Sequence, residues 1–126
     1  MKYQYYGEIT KDILNTIKVG DLIKINEWKK PMRVVGVSDN YFCMIMKVAG
    51  KVCYSVCEKK AWQGIKYNAM IGGMFHCSTD NMVFGYDISY KFDNDNEIKR
   101  YLQAFEDGKI GLSYRNAVPI FKLYIK

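Results

Sequence analysis

The stretch Tyr41-Phe42-Cys43-Met44-Ile45-Met46-Lys47-Val48-Ala49-Gly50-Lys51-Val52-Cys53-Tyr54-Ser55-Val56-Cys57-Glu58 reads as a β-hairpin. Two runs, Tyr41 to Lys47 and Lys51 to Glu58, combine aliphatic, β-branched and aromatic residues around Ala49-Gly50. A two-residue turn at Ala49-Gly50 sets residue 48 opposite 51 and residue 46 opposite 53. Side chains alternate along a strand. Phe42, Met44, Met46, Cys53 and Cys57 therefore share one face, and Tyr41, Cys43, Ile45, Val52, Tyr54 and Val56 share the other. Both faces are apolar, so both must be covered. A small barrel, or a sheet carrying a helix, meets that demand.

Upstream, Tyr3-Gln4-Tyr5-Tyr6 is expected to form a first strand. Thr10 suits a helix N-cap, with Asp12 in the first turn, Ile13, Leu14 and Ile17 at helical spacing, and Gly20 just beyond the end. Strands follow at Leu22-Ile23-Lys24-Ile25 and Arg33-Val34-Val35-Gly36-Val37, the second ending in the turn residues Ser38-Asp39-Asn40. Downstream, Lys59 to Asn81 reads as irregular, with Gly64, Gly72 and Gly73 marking turns. Met82 to Tyr86 reads as a strand. Asp93 or Asn94 caps a helix over about 95–107, whose apolar stripe is Ile98, Tyr101, Leu102 and Phe105 and whose terminator is Gly108. Val118 to Ile125 is a final strand, with Pro119 tolerable near its start. The expected fold class is α+β and strand-rich: a small twisted sheet or partly open barrel, with a short N-terminal helix and a helix in the C-terminal half.

With 126 residues the chain suits one domain, residues 1–126. Hydrophobic residues at 49% against 25% charged ones supply enough apolar surface to offset the entropy of ordering. No apolar run approaches the roughly 20 residues that cross a bilayer, so no membrane partner is expected. The start, MKYQYYGEITKD, does not read as a signal peptide. A cytoplasmic location and four reduced cysteines, Cys43, Cys53, Cys57 and Cys77, are the matching expectations. The formal charge of +6 favours polyanionic partners. Only Arg33, Arg100 and Arg115 are arginines, and the lysine, tyrosine, isoleucine and asparagine usage matches an AT-rich genome.

Two basic-aromatic clusters stand out. One is Trp28-Lys29-Lys30 with Arg33; the other is Lys59-Lys60-Ala61-Trp62, followed by Lys66-Tyr67. Lysines neutralise phosphates, and exposed aromatic faces stack on bases. The alternative for the tryptophans is a place in the core. Other motifs are weaker. His76-Cys77 with Asp80 contains the groups of a nucleophilic site, but neighbours on a strand point to opposite faces. Cys53, Cys57, His76 and Cys77 form a nominal metal set, yet four residues of strand separate the first two by about 13 Å, so no metal is expected. Gly72-Gly73 offers backbone amides to an anion without any phosphate-binding fingerprint around it. Asp93, Asp95 and Glu97 lack the rest of a calcium loop. No cofactor is expected.

The run Val19-Gly20-Asp21-Leu22-Ile23-Lys24-Ile25, followed by Met32-Arg33-Val34-Val35-Gly36-Val37, resembles the opening of small SH3-like or PUA-like barrels. Three further stretches, Trp28-Lys29-Lys30-Pro31-Met32-Arg33-Val34, Asp39-Asn40-Tyr41-Phe42 and the run from Asn68 to Cys77, resemble small uncharacterised proteins of phages, plasmids and other mobile elements of low-GC bacteria. That resemblance implies an accessory, cytoplasmic role and carries over no catalytic residues.

The leading expectation is a non-enzymatic binding domain of a bacterial mobile element. It contacts nucleic acid through Trp28, Lys29, Lys30, Arg33, Lys59, Lys60, Trp62, Lys66 and Tyr67. A second is an anti-defence or anti-CRISPR type inhibitor, whose partner is a nucleic-acid-binding host complex, or a small-ligand sponge; the +6 charge opposes an acidic DNA mimic. A third is a hydrolase or transferase using the His76, Cys77 and Asp80 region.

Overall fold

In the computed structural model, which describes residues 4–25, 30–48, 50–71, 74–78, 86–88 and 92–110, the hairpin lies inside an open sheet. The elements run β1 (Gly7–Glu8), α1 (Lys11–Thr16), β2 (Leu22–Ile25), β3 (Met32–Val37), β4 (Tyr41–Val48) and β5 (Lys51–Glu58). A 3₁₀ turn (Lys59–Trp62), β6 (Lys66–Ile71), β7 (Met74–Cys77), β8 (Tyr86–Ile88) and α2 (Asp95–Glu106) follow. The spatial order is β1-β6-β7-β2-β3-β4-β5-β8. β2 and β7 run parallel and the other neighbours antiparallel. The fold is thus α+β with a mixed sheet that does not close into a barrel.

The hairpin register is the expected one, with Met46 opposite Cys53 and Val48 opposite Lys51. Gly50 takes φ +79°, a left-handed conformation that glycine adopts without a Cβ penalty. Each face of the hairpin has its own cover. Phe42, Met44 and Cys57 join Ile23, Met32 and Val34 in one core, which the α1 residue Leu14 and Trp62 of the 3₁₀ turn complete. Cys43, Tyr54 and Val56 join a second core under α2, with Ile98, Tyr101, Leu102 and Phe105.

Both helices start where the caps predict. The Thr10 hydroxyl accepts from the Ile13 N–H at 3.3 Å. The Asn94 side chain accepts from Glu97 N–H at 3.0 Å, while the Glu97 carboxylate accepts from Asp93 N–H at 3.2 Å. This reciprocal pattern satisfies two backbone donors at the helix entrance. The pairing of β3 with β4 shifts between Val34 and Gly36, and the bulge brings Gly36 under Ile98 and Leu102.

Two expectations change. The first strand is Gly7–Glu8 rather than Tyr3 to Tyr6, because the ladder to β6 forms at Gly7–Tyr67 and Glu8–Lys66. The segment Lys59 to Asn81 is not wholly irregular: it contains the 3₁₀ turn, β6 and β7. Its strands escape pattern reading because Asn68 and His76, both polar, occupy buried positions. Of the strand expected at Met82 to Tyr86, only Tyr86 lies among the described residues, where it opens β8. The strand expected at Val118 to Ile125 lies outside them. Among the described residues no helix is long and apolar enough to cross a membrane.

Candidate nucleic-acid interface

Residues paired across a ladder point to the same side of a sheet. Leu22 pairs with Arg33, Arg33 with Ile45, Lys24 with His76, and Lys47 with Val52. Alternation along each strand then sets Lys24, Arg33 and Lys47 on one face, the face that carries α2. The helix covers the part of that face around Gly36, Tyr41 and Tyr54, and His76 and Asn68, on the same face toward the β1 edge, are buried as well. Beyond it Arg33 and Lys47 are exposed and Lys24 is half-buried. Leu22 and Val52 keep 37% and 38% of their surface in water, so the face is exposed around Arg33 and Lys47. Lys24 and Lys47 stand two strands apart, about 10 Å. Arg33 and Lys47 make no ion pair among the described residues.

The same side continues to the β1 edge. Asn68 pairs with His76, so Asn68 and, two residues earlier, Lys66 share the face of Lys24. Lys66 is exposed and lies opposite Glu8. Tyr5, Tyr6, Glu8 and Lys66 line a shallow hollow at this edge. Tyr6 is 69% exposed, the most open of the large hydrophobic side chains described. Tyr5 meets the buried His76 ring edge-on at 6.0 Å.

The residues selected from sequence do not form one face. Trp28 and Lys29 lie outside the described residues; Lys30 is exposed at the entrance to β3. Tyr67 points to the opposite side of the sheet from Lys66 and stacks on Phe75 at 4.9 Å. The 3₁₀ turn lies at the other end of the strands. Arg33 is level with Ile45 and Tyr54, and Glu58 is four residues further along β5, about 13 Å away.

Two residues of that turn must be reassigned. Trp62 is 1% exposed and packs edge-on against Phe42 at 5.4 Å, so its ring is a core plug and no base can stack on it. Its Nε1 makes no hydrogen bond among the described residues. Lys59 is also buried, and its backbone N–H donates to the Asn40 carbonyl at 2.8 Å. Burial pulls its pKa down, and Asp39 and Glu106 oppose that by favouring the ammonium. Those carboxylates neutralise Lys59 locally and leave little field for a phosphate. Burial pushes the Glu106 carboxyl up, but hydrogen bonds from Ser38 and Asn40 and the nearby Lys59 outweigh it, leaving the pKa below the ordinary carboxylate value. The Asn40 N–H and side-chain amide donate to Glu106 at 2.7 and 2.8 Å. Lys60 is exposed, yet it borders a hollow shared with Glu58 and Glu106.

The remaining motifs separate in space. His76 pairs with Lys24 and Cys77 with Ile25, so the two side chains point to opposite faces. Both are buried, and desolvation pushes the Cys77 thiol up to about 12, the reverse of what a nucleophile needs. Cys53 and Cys57 lie along β5, and Cys77 is four strands away, about 19 Å. Asp80 and Gly72-Gly73 lie outside the described residues.

Sequence reading missed Lys24, Lys47 and Tyr6. A signal for the lysines was present: each interrupts an otherwise apolar strand. Compared with family models, curated proteins and solved structures, the chain matches none.

Proposed function

We propose that the chain is a non-enzymatic binding domain that holds nucleic acid by its phosphates on the exposed part of the α2-bearing face around Arg33 and Lys47. One observation carries the reading: Lys24, Arg33 and Lys47 sit on one side of adjacent strands, and the latter two are exposed without an ion pair among the described residues. A cation row on a regular sheet holds its charges at fixed spacing, and the +6 net charge adds long-range attraction. Exposed Lys30 stands near one end of the row and Lys66 toward the other. The loop cluster around Lys59 and Trp62 plays no direct part. An accessory role in the cytoplasm of a bacterium, of the kind implied by the resemblance to mobile-element proteins, suits such a domain.

Binding of this kind releases counterions, so log K falls linearly with log salt. Titrating a fluorescent oligonucleotide across a salt series tests it. Arg33→Ala with Lys47→Ala should lower the magnitude of the slope by roughly 0.7 to 0.9 for each phosphate that is no longer neutralised. Lys59→Met, away from the face, should leave the slope unchanged. No binding of the wild-type chain to DNA or RNA at low salt refutes the reading, and the search then turns to a host protein complex as partner.

A further inference from the structure

The exposed cations at Arg33 and Lys47 border a part of the same face that is covered, and the cover is a short stretch of backbone. We infer that residues 4–6 form a strap over the β6–β7 part of the nucleic-acid face, and that lifting it adds His76 and Asn68 to the phosphate-binding groups Lys24, Arg33 and Lys47. The inference rests on the nucleic-acid reading and adds the regulation of that site.

Strand register places the polar groups in line. Lys24 pairs with His76 and His76 with Asn68, so the three side chains stand side by side across β2, β7 and β6. Two strand spacings, about 10 Å, separate the first from the last. Lys24 is half-buried, whereas His76 and Asn68 are 0% and 3% exposed. α2 packs elsewhere on the face, over Gly36, Tyr41 and Tyr54. Among the described residues, the N-terminal segment lies on this polar row. The Tyr5 ring meets the His76 ring edge-on at 6.0 Å, and the Gln4 carbonyl accepts from the Asn68 side-chain amide at 2.6 Å.

Two features make this cover a strap. The first is the chemistry beneath it. A permanently closed interface favours apolar side chains, because a buried polar group costs free energy unless it is hydrogen-bonded. Here a histidine and an asparagine lie under the cover, and water satisfies both when the cover lifts. The second is the anchorage. Next to the segment stands β1, a strand of two residues, and the Tyr6 N–H donates to the Tyr67 carbonyl at 2.8 Å. Gln4 and Tyr6 are exposed and Tyr5 is half-buried, so opening brings little apolar surface into water. The strap also imitates the ligand it excludes. Its Gln4 carbonyl oxygen takes the Asn68 donor that a phosphate oxygen would take, and the Tyr5 ring fills the space beside the imidazole. With the strap lifted, Lys24, His76 and Asn68 extend the site from Arg33 toward exposed Lys66. Strap and ligand therefore compete, and the ligand favours the open chain because it makes more contacts there.

His76 is the only histidine of the chain, which gives opening a readout that needs no ligand. Diethyl pyrocarbonate modifies an accessible imidazole, and mass spectrometry of the peptide holding His76 follows the reaction. In the full native chain His76 should react at a rate that low urea leaves unchanged, the mark of local opening as opposed to global unfolding. Tyr5→Ala should raise that rate. In anisotropy titrations with a labelled oligonucleotide at low salt, the same variant should bind roughly 2- to 12-fold more tightly, the factor by which one aromatic pair biases an equilibrium. Tyr5→Phe keeps the ring and should stay close to the wild type in both measurements. Tyr5→Leu, a milder change, should move both in the same direction if Tyr5→Ala does not fold. Reaction of His76 only on global unfolding overturns the strap and leaves the nucleic-acid reading standing, as does a faster His76 reaction with unchanged or weaker binding. Absence of binding by the wild type and the Tyr5 variants alike overturns both.

Discussion

Gly36→Ala tests the packing of α2 on the sheet. Gly36 is not among the described glycines with positive φ, so alanine meets no backbone strain there. The obstacle is space. A Cβ at residue 36 would stand 2.6 Å from Ile98 Cγ2 and 2.9 Å from Leu102 Cδ1. Carbon atoms prefer about 3.5–4.0 Å, so one contact is short by about 1 Å and the other by more than half of that. Leu102 can turn its terminal methyl aside. Ile98 is β-branched and in a helix keeps one χ1 rotamer about nine times in ten, so its methyl moves only if the helix moves. Overpacking of this kind costs about 1–3 kcal/mol. The stiffer unfolded chain that alanine gives offsets about 0.4–1 kcal/mol. The net expectation is a destabilisation of about 1–2 kcal/mol, a fall in Tm of roughly 4–8 °C for a domain of this size. Urea unfolding followed by tryptophan fluorescence measures it. Ile98→Ala alone should cost about 2–5 kcal/mol. In the double variant the removed methyl makes room, so the two costs should fall short of additivity by about 0.5–3 kcal/mol. A Gly36→Ala chain as stable as the wild type, or strict additivity, refutes the packing argument.

Trp62→Ala should lower stability by about 3–5 kcal/mol, measured by the same denaturation, while leaving nucleic-acid affinity unchanged for the fraction that remains folded. The depressed pKa of Glu106 stabilises the fold above the ordinary carboxylate range, and that contribution disappears as pH falls through the folded-state value. Thermal unfolding between pH 6 and pH 3 (the range is about three units around that transition) should show an acid limb that Glu106→Gln flattens. A thiol reagent applied to the native chain should label half-buried Cys53 first, with Cys43, Cys57 and Cys77 reacting only on unfolding; mass spectrometry of the labelled peptides reads the order.

The hairpin was legible because Gly50 fixed its turn and both of its faces were apolar. The two α-helices were legible from Thr10 and Asn94, whose side chains cap in the manner their positions suggest. β6 and β7 were not, because Asn68 and His76 place polar groups at buried positions. Asn68 donates its side-chain amide to the Gln4 carbonyl at 2.6 Å, a partner far away in sequence that no local pattern announces. The candidate site was harder still. Clusters such as Lys59-Lys60-Ala61-Trp62 draw the eye because they are contiguous, yet the turn buries two of their residues in different surroundings. Lys24, Arg33 and Lys47 come together only through strand register, which depends on pairings between segments.

The parallel pairing of β2 with β7 also orders the events of folding. β2 to β5 are joined by successive antiparallel neighbours and can form while the chain between them is short. β7 reaches β2 only after the chain has left β5, passed through the 3₁₀ turn and built β6, and β1 then closes onto β6. Loop-closure entropy must be met before these distant contacts contribute, so such topologies fold slowly compared with local meanders. Until β7 docks, the free side of β2 presents unpaired backbone groups between buried isoleucines, a template for another copy of the chain. Synthesis from the N-terminus prolongs that interval, since β2 emerges well before its partner. The strand that unites the two halves of the sheet is therefore also the step at which a nascent chain is most exposed to misassociation.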